Sequence, residues 1–117
     1  MEKNLLIIKL LNIITNKNIY ENNKRKYSLN IFLFGSVFNT SNPNDIDILI
    51  LYPRNTNYIN EIFNLKNNMK LILEKELLID IDILILSYEE EEEIDFIRCE
   101  GAINFDLINI YYNDEKI

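Results

Sequence analysis

Four aspartates fall in two copies of one seven-residue segment, and they are the residues of this sequence best suited to chemistry. The segment Asp-Ile-Asp-Ile-Leu-Ile-Leu occupies 45–51 and again 80–86. Its run of Ile and Leu predicts a buried β-strand, on which residues two apart share a face. Carboxylates spaced about 6.5 to 7 Å along a strand can converge on two Mg²⁺ ions about 3.5 to 4 Å apart. The segments therefore predict a site for hard cations, which prefer oxygen ligands.

The two segments can form one site only if their strands are parallel neighbours. The connection at 57–77 has helical periodicity, and a helix of that length favours a parallel crossover. Parallel pairing brings Asp45 and Asp47 to the same edge of the sheet as Asp80 and Asp82, whereas antiparallel pairing separates them. Burying an unpaired carboxylate costs several kcal/mol, so we expect a cation between them. The alternative is that the aspartates are solvated groups at exposed strand ends.

Helices and strands on either side must hold these segments in place. A helix packed on the sheet is predicted for 2–17. Residues 18–27 are predicted to be a polar loop, in which Lys24, Arg25 and Lys26 either are solvated or form a basic lip near bound phosphates. The remaining pattern predicts a strand at 28–34, a turn at 39–44, a strand at 45–52, a helix at 57–77, a strand at 78–86, a helix from 88 to about 100, and a short strand or helix within 102–113.

Four residues mark where these elements begin and end. Gly35 allows a sharp backbone turn after the first strand. Ser87 and Glu90 have the spacing of a capping box at a helix start. Gly101 is a good terminator for the helix that follows them.

Composition narrows the classes of function. The chain has 117 residues, 48% of them hydrophobic, which is enough for one domain over 1–117 with its own core. A net charge of −7 argues against binding to duplex nucleic acid, which requires a basic face. One cysteine and no histidine exclude an internal disulfide and a structural zinc site. We expect a cytoplasmic protein with no membrane partner, because the apolar run at 5–14 is too short to span a bilayer.

The spacing of glycine, serine and aspartate resembles a known family signature. Gly35-Ser36 is followed by eight residues and then by Asp45-Ile-Asp47, and a third carboxylate stands in Ile-Asp82-Ile-Leu. This arrangement resembles the DNA polymerase β-like nucleotidyltransferase superfamily, in particular its minimal nucleotidyltransferase (MNT) branch. The resemblance implies an α+β fold of the α/β-sandwich type, a small mixed sheet with helices packed against it. The implied order of elements is α-β-α-β-α-β-α.

The resemblance also implies roles for single residues. Gly35 and Ser36 would bind the phosphates of an incoming nucleotide. Asp45 and Asp47 would bind two Mg²⁺ ions that bridge the triphosphate of ATP. Asp82 would be the third metal ligand and would help to deprotonate the attacking hydroxyl, with Asp80 as a possible further ligand or a solvated neighbour.

Members of this branch that resemble the chain suggest its partner. Small single-domain members resemble the antitoxins of toxin–antitoxin pairs, whose partner is a helical HEPN-domain toxin. In that family a tyrosine of the toxin accepts AMP from the antitoxin. Two other functions remain open. The spacer before Asp45 is shorter than is common in the branch, and Val37-Phe38-Asn39 follows Gly-Ser without the arginine often found there. Both differences favour a catalytically weak or inactive module that binds nucleotide or partner. Transfer to a small molecule such as an aminoglycoside is the third alternative.

Overall fold

A four-stranded mixed β-sheet forms the centre of the computed structural model, which describes residues 4–40 and 42–114. The predicted helix residues 2 and 3 lie outside this range. In chain order the elements are α1 (Leu5–Asn16), α2 (Glu21–Tyr27), β1 (Asn30–Phe34), a 3-10 turn (Ser36–Phe38), β2 (Asp45–Tyr52), α3 (Ile59–Leu77), β3 (Asp80–Ser87), α4 (Tyr88–Ile94), α5 (Phe96–Glu100), β4 (Ile103–Asn104) and α6 (Phe105–Asp114).

The strands lie in the order β3-β2-β1-β4. β1 pairs antiparallel with both β2 and β4, while β2 and β3 are parallel. In this parallel pair Asp45 lies opposite Asp80, and Asp47 lies opposite Asp82. The predicted α+β fold and the predicted parallel pairing of the two repeated segments are therefore confirmed.

The two faces of the sheet have different coverings. The isoleucines of β2 point into the hydrophobic core, where Ile46, Ile48 and Ile50 are fully buried. Helices α1, α3 and α6 pack on this side and contribute Leu10, Met69, Leu73 and Phe105 to the core. The aspartates occupy the other face, which α4 and α5 cover only in part, because Leu84 remains 38% exposed. A firm core thus lies directly behind the carboxylates.

The segment 18–27, predicted to be a loop, contains helix α2. No residue of this helix is buried, so the apolar periodicity that signals a packed helix is absent. The helix has Glu21 in its first turn and Lys24, Arg25 and Lys26 in its last turn, an arrangement that the helix dipole favours. Local electrostatics therefore stabilise a helix that the sequence pattern does not reveal.

The part of the chain after β3 contains more helices and strands than the sequence predicts. The capping box of Ser87 and Glu90 is present, and Gly101 ends a helix with φ of +64°. Between them Asp95 adopts φ of +54°, which splits one predicted helix into α4 and α5. Residues 102–113 supply both a strand, β4, and a helix, α6. Among the helices of the described ranges, none has the length and apolarity needed to cross a bilayer.

Candidate active site

Three carboxylates converge where β2 and β3 begin. Asp45 and Asp47 extend from β2, and Asp82 extends from β3. One oxygen of each carboxylate lies within 4.8 Å of the others. Asp80 is exposed and lies opposite Asp45 but outside this cluster of described residues. The predicted aspartates are thus brought together, with Asp82 rather than Asp80 as the third member.

The pKa values of Asp45 and Asp47 are both raised in this cluster. The pKa of Asp45 is raised by a hydrogen bond with Asp82, by partial burial and by the charges of Asp82 and Asp80. The pKa of Asp47 is raised first by burial and then by the charges of Asp45, Asp82 and Glu100. Like charges at this distance disfavour simultaneous ionisation. A proton or a cation within the cluster relieves that repulsion.

The donor atoms fit a divalent cation. All three side chains offer carboxylate oxygens, which Mg²⁺ and related hard cations prefer over nitrogen or sulfur. Asp45 and Asp47 are partly buried, whereas Asp82 is exposed, so the cluster opens to solvent on the β3 side. A cation held here therefore retains positions for oxygen atoms of a substrate.

Gly35 lies against this cluster at the end of β1. Its neighbour Phe34 pairs with Asp47, and Gly35 has φ of +86° and ψ of −157°, a combination that only glycine adopts readily. A Cβ atom at this position would collide with Oδ2 of Asp47. Glycine is thus required twice, by the backbone conformation and by the adjacent carboxylate.

Ser36 begins the 3-10 turn next to the carboxylates. It is exposed, and its carbonyl accepts hydrogen bonds from the amides of Asn39 (2.9 Å) and Thr40 (3.1 Å). The exposed Ser36 therefore directly follows the glycine that lies against Asp47.

Asn4 supports this turn and was missed by the sequence analysis. Its side-chain oxygen caps α1 by accepting from the amide of Leu6 at 2.8 Å. Its side-chain nitrogen donates to the carbonyl of Val37 at 3.0 Å, within the 3-10 turn. One residue thus joins the start of α1 to the Gly-Ser turn. An asparagine before an apolar run predicts the cap but not the contact 33 residues away.

Asn4→Ala is expected to lower the free energy of unfolding by about 1 to 2 kcal/mol, because a helix cap and a tertiary hydrogen bond are lost. It should also raise the KM for nucleotide, since the turn at Ser36 is no longer held. Ser87→Ala is the control, because it removes the cap of α4 at the opposite end of β3. Thermal unfolding and steady-state kinetics measure both effects. Equal KM values for the two variants would contradict the role of Asn4.

Two residues of α5 also lie beside the cluster. The ring of Phe96 packs edge-on against Phe34, with centroids 5.0 Å apart. Glu100 adds negative charge near Asp47. No motif in the sequence pointed to either residue, because the contact depends on the break at Asp95.

The basic residues at 24–26 do not form a lip beside the carboxylates. Lys24 and Arg25 line a cavity of about 350 Å³ together with Asn30 and Tyr88. Asn30 begins β1 and pairs with Leu51, whereas the cluster lies at the other end of β1, where Phe34 pairs with Asp47. Lys24 forms an ion pair with Asp106. Of the two alternatives for this basic segment, a lip beside the carboxylates therefore does not fit the structure.

Ionisation of the cluster should make the metal-free protein less stable. The pKa of Asp45 is higher in the folded protein than in the unfolded chain, where it is about 3.9. The resulting destabilisation is absent below that value, grows as pH rises through the folded pKa, and stays constant above it. We therefore compare Asp45→Asn with wild type, both without metal. The melting temperature of the variant minus that of wild type should increase from pH 4 to pH 7. A difference that does not depend on pH would contradict this.

Comparison with known proteins identifies the family. No curated protein and no solved structure shows significant similarity to the chain. A family model described as polymerase beta, nucleotidyltransferase matches residues 16–107. The matched range contains Gly35, both aspartate-bearing strands and the helix α3 between them. The chain therefore belongs to the polymerase β nucleotidyltransferase family, whose members transfer nucleotidyl groups from nucleoside triphosphates with the help of divalent metal ions.

Proposed function

We propose that this protein moves AMP from ATP to a hydroxyl group of a partner protein, in a reaction that requires Mg²⁺. The observation that supports this most is the convergence of Asp45, Asp47 and Asp82 within 4.8 Å, directly beside Gly35. In the proposal the three aspartates hold two Mg²⁺ ions, and Gly35 with Ser36 binds the β- and γ-phosphates.

The proposed roles follow from where each group lies. Gly35 and Ser36 stand on the β1 side of Asp47, and Asp82 stands on the β3 side. An in-line displacement needs its leaving group and its nucleophile on opposite sides of the α-phosphorus. The pyrophosphate therefore lies towards β1, and the acceptor hydroxyl approaches from the side of β3. Bound Mg²⁺ would supply charge stabilisation for the attacking and leaving oxygens.

The proposed reaction replaces one bond to the α-phosphorus of ATP with another. The hydroxyl oxygen forms a bond to the α-phosphorus of ATP, while the bond between that phosphorus and the bridging oxygen of the β-phosphate breaks. Asp82, exposed on the acceptor side, receives the hydroxyl proton and passes it to water. Pyrophosphate leaves with the bond electrons. Asp45 and Asp47 hold their positions through the rigid core behind β2.

A protein acceptor suits the charge of this chain. The net charge of −7 disfavours a nucleic acid backbone near the acceptor side, where Asp80 and Asp82 are exposed. We propose that the acceptor is a tyrosine of a HEPN-domain toxin and that this chain is the MNT antitoxin of that pair.

The test is incubation with α-labelled ATP, Mg²⁺ and the HEPN protein encoded beside this chain's gene. We expect label on a tyrosine of that protein and release of one pyrophosphate per AMP. Asp82→Asn should remove the label. If no label is transferred to this protein or to any other added acceptor, the proposed reaction is wrong.

A second candidate function is supported by the loop after Gly35. The turn carries Val37, Phe38 and Asn39 and no arginine, so one usual source of positive charge at the triphosphate is absent. The alternative is a module that binds ATP or its partner without chemistry. Calorimetry combined with a pyrophosphate assay separates the two, because this module would bind ATP and release no pyrophosphate.

A further inference from the structure

An ion pair on α3 reaches across to the edge of the sheet. Lys70 and Glu74 are one helical turn apart, with 2.9 Å between Nζ and Oε2. The same oxygen of Glu74 accepts a hydrogen bond from the amide of Ile81 at 3.0 Å. Lys70 also donates to the carbonyl of Ile81. Both backbone polar groups of one β3 residue are thus held by side chains of α3.

Ile81 is the residue between the two aspartates of β3. Because the sheet order is β3-β2-β1-β4, β3 is an edge strand with β2 on one side only. An edge strand has backbone groups that lack a strand partner and is free to fray or to twist away. At Ile81 the pair from α3 takes the place of a neighbouring strand. The side chain of Ile81 is fully buried as well, so the core holds its side chain while α3 holds its backbone.

We propose that Lys70 and Glu74 are positioning residues for the metal site, and that they act by fixing the backbone from which Asp82 extends. Neither residue belongs to the carboxylate cluster, so their effect passes through Ile81. The inference rests on the proposed function, because it assumes that Asp82 is a metal ligand.

Two further observations support this assignment. The pKa of Glu74 is lowered, chiefly by the hydrogen bond from the amide of Ile81 and then by Lys70, so these contacts favour the ionised carboxylate. A metal ligand must also be held within about 0.5 Å of its productive place. Asp82 is the exposed member of the cluster, and its strand has only one neighbour. It is therefore the ligand that most needs external support.

The test is titration of the folded, full-length protein with Mn²⁺, followed by the paramagnetic resonance signal of the free ion. Glu74→Ala should weaken Mn²⁺ binding about tenfold, the lower end of the range for partners that orient metal ligands. Glu74→Gln keeps an oxygen that accepts from Ile81 and should stay within about threefold of wild type. Glu76→Ala is the matched control. Glu76 is also a glutamate of α3, but it pairs with Lys17 at the end of α1, with 3.7 Å between Nζ and Oε1. This control should leave Mn²⁺ affinity unchanged.

Hydrogen exchange at the amide of Ile81 gives a second readout, independent of metal. Exchange should be faster in Glu74→Ala than in wild type or Glu76→Ala. If Glu74→Ala does not fold, Lys70→Met serves in its place, because it removes the hydrogen bond to the Ile81 carbonyl and the ion pair with Glu74 but keeps the Glu74 carboxylate. It should weaken Mn²⁺ binding and leave the hydrogen bond from the Ile81 amide to Glu74 intact.

Three results would overturn the inference or its basis. If the variants fold and bind Mn²⁺ as tightly as wild type, the pair does not position Asp82. If they instead self-associate while Mn²⁺ affinity is unchanged, the pair only protects the edge of β3. If wild type itself binds no Mn²⁺, the proposed function is contradicted, and the positioning role falls with it.

Discussion

Asp47→Asn is expected to lower the rate of nucleotidyl transfer by on the order of 10³, equivalent to about 4 kcal/mol of transition-state stabilisation. Asp47 is a partly buried member of the carboxylate cluster, and Gly35 lies directly against its side chain. Loss of one charged oxygen ligand weakens the stabilisation that bound metal gives to the reacting phosphate. Pyrophosphate release under saturating ATP and Mg²⁺ measures the rate.

The same variant should be more stable than wild type when metal is absent. Burial, followed by the charges of Asp45, Asp82 and Glu100, raises the pKa of Asp47 in the folded protein. Ionised Asp47 therefore destabilises the fold at neutral pH, and asparagine removes that charge. Mg²⁺ should raise the melting temperature of wild type but not of Asp47→Asn. A variant that is destabilised without metal and still stabilised by Mg²⁺ would show that Asp47 is a structural residue only.

Gly35→Ala is expected to reduce transfer at least 100-fold, or about 2.7 kcal/mol, and to weaken metal binding. Alanine strongly disfavours φ of +86° with ψ of −157°, a strain of about 1 to 3 kcal/mol. Its Cβ would also displace Oδ2 of Asp47 from the cluster. Activity assays and Mn²⁺ titration of the purified variant measure both effects.

Gly101→Ala is the control for backbone strain. Gly101 has φ of +64°, but a Cβ there meets no atom within 4 Å. This variant should lose about 1 kcal/mol of stability and keep both metal affinity and turnover. If both glycine variants lose activity to the same extent, general instability rather than the collision with Asp47 explains the effect of Gly35→Ala.

The sequence allowed the centre of the fold to be predicted because the relevant information is local. The repeated Asp-Ile-Asp-Ile-Leu-Ile-Leu fixes which face of each strand is polar, and the α3 periodicity fixes the crossover. Together these favoured parallel over antiparallel pairing, and parallel pairing brings Asp47 opposite Asp82. The capping box at Ser87 was predictable for the same reason, since its two hydrogen bonds span three residues.

The surrounding support could not be predicted, because it depends on contacts between distant segments. Asn4 reaches Val37, Phe96 reaches Phe34, and Lys70 reaches Ile81, and no spacing rule connects these pairs. Helix α2 was missed for a different reason. It buries no residue, so its sequence has no apolar face to detect.

We propose that Asp45, Asp47 and Asp82 hold the metal ions of a nucleotidyl transfer site, with the triphosphate on Gly35 and Ser36. A crystal structure with Mn²⁺ and a non-hydrolysable ATP analogue tests it most directly. We expect two anomalous peaks about 3.5 to 4 Å apart among the three carboxylates, with the β- and γ-phosphates against the turn at Ser36. Manganese bound elsewhere, or a triphosphate bound away from Gly35, would contradict it.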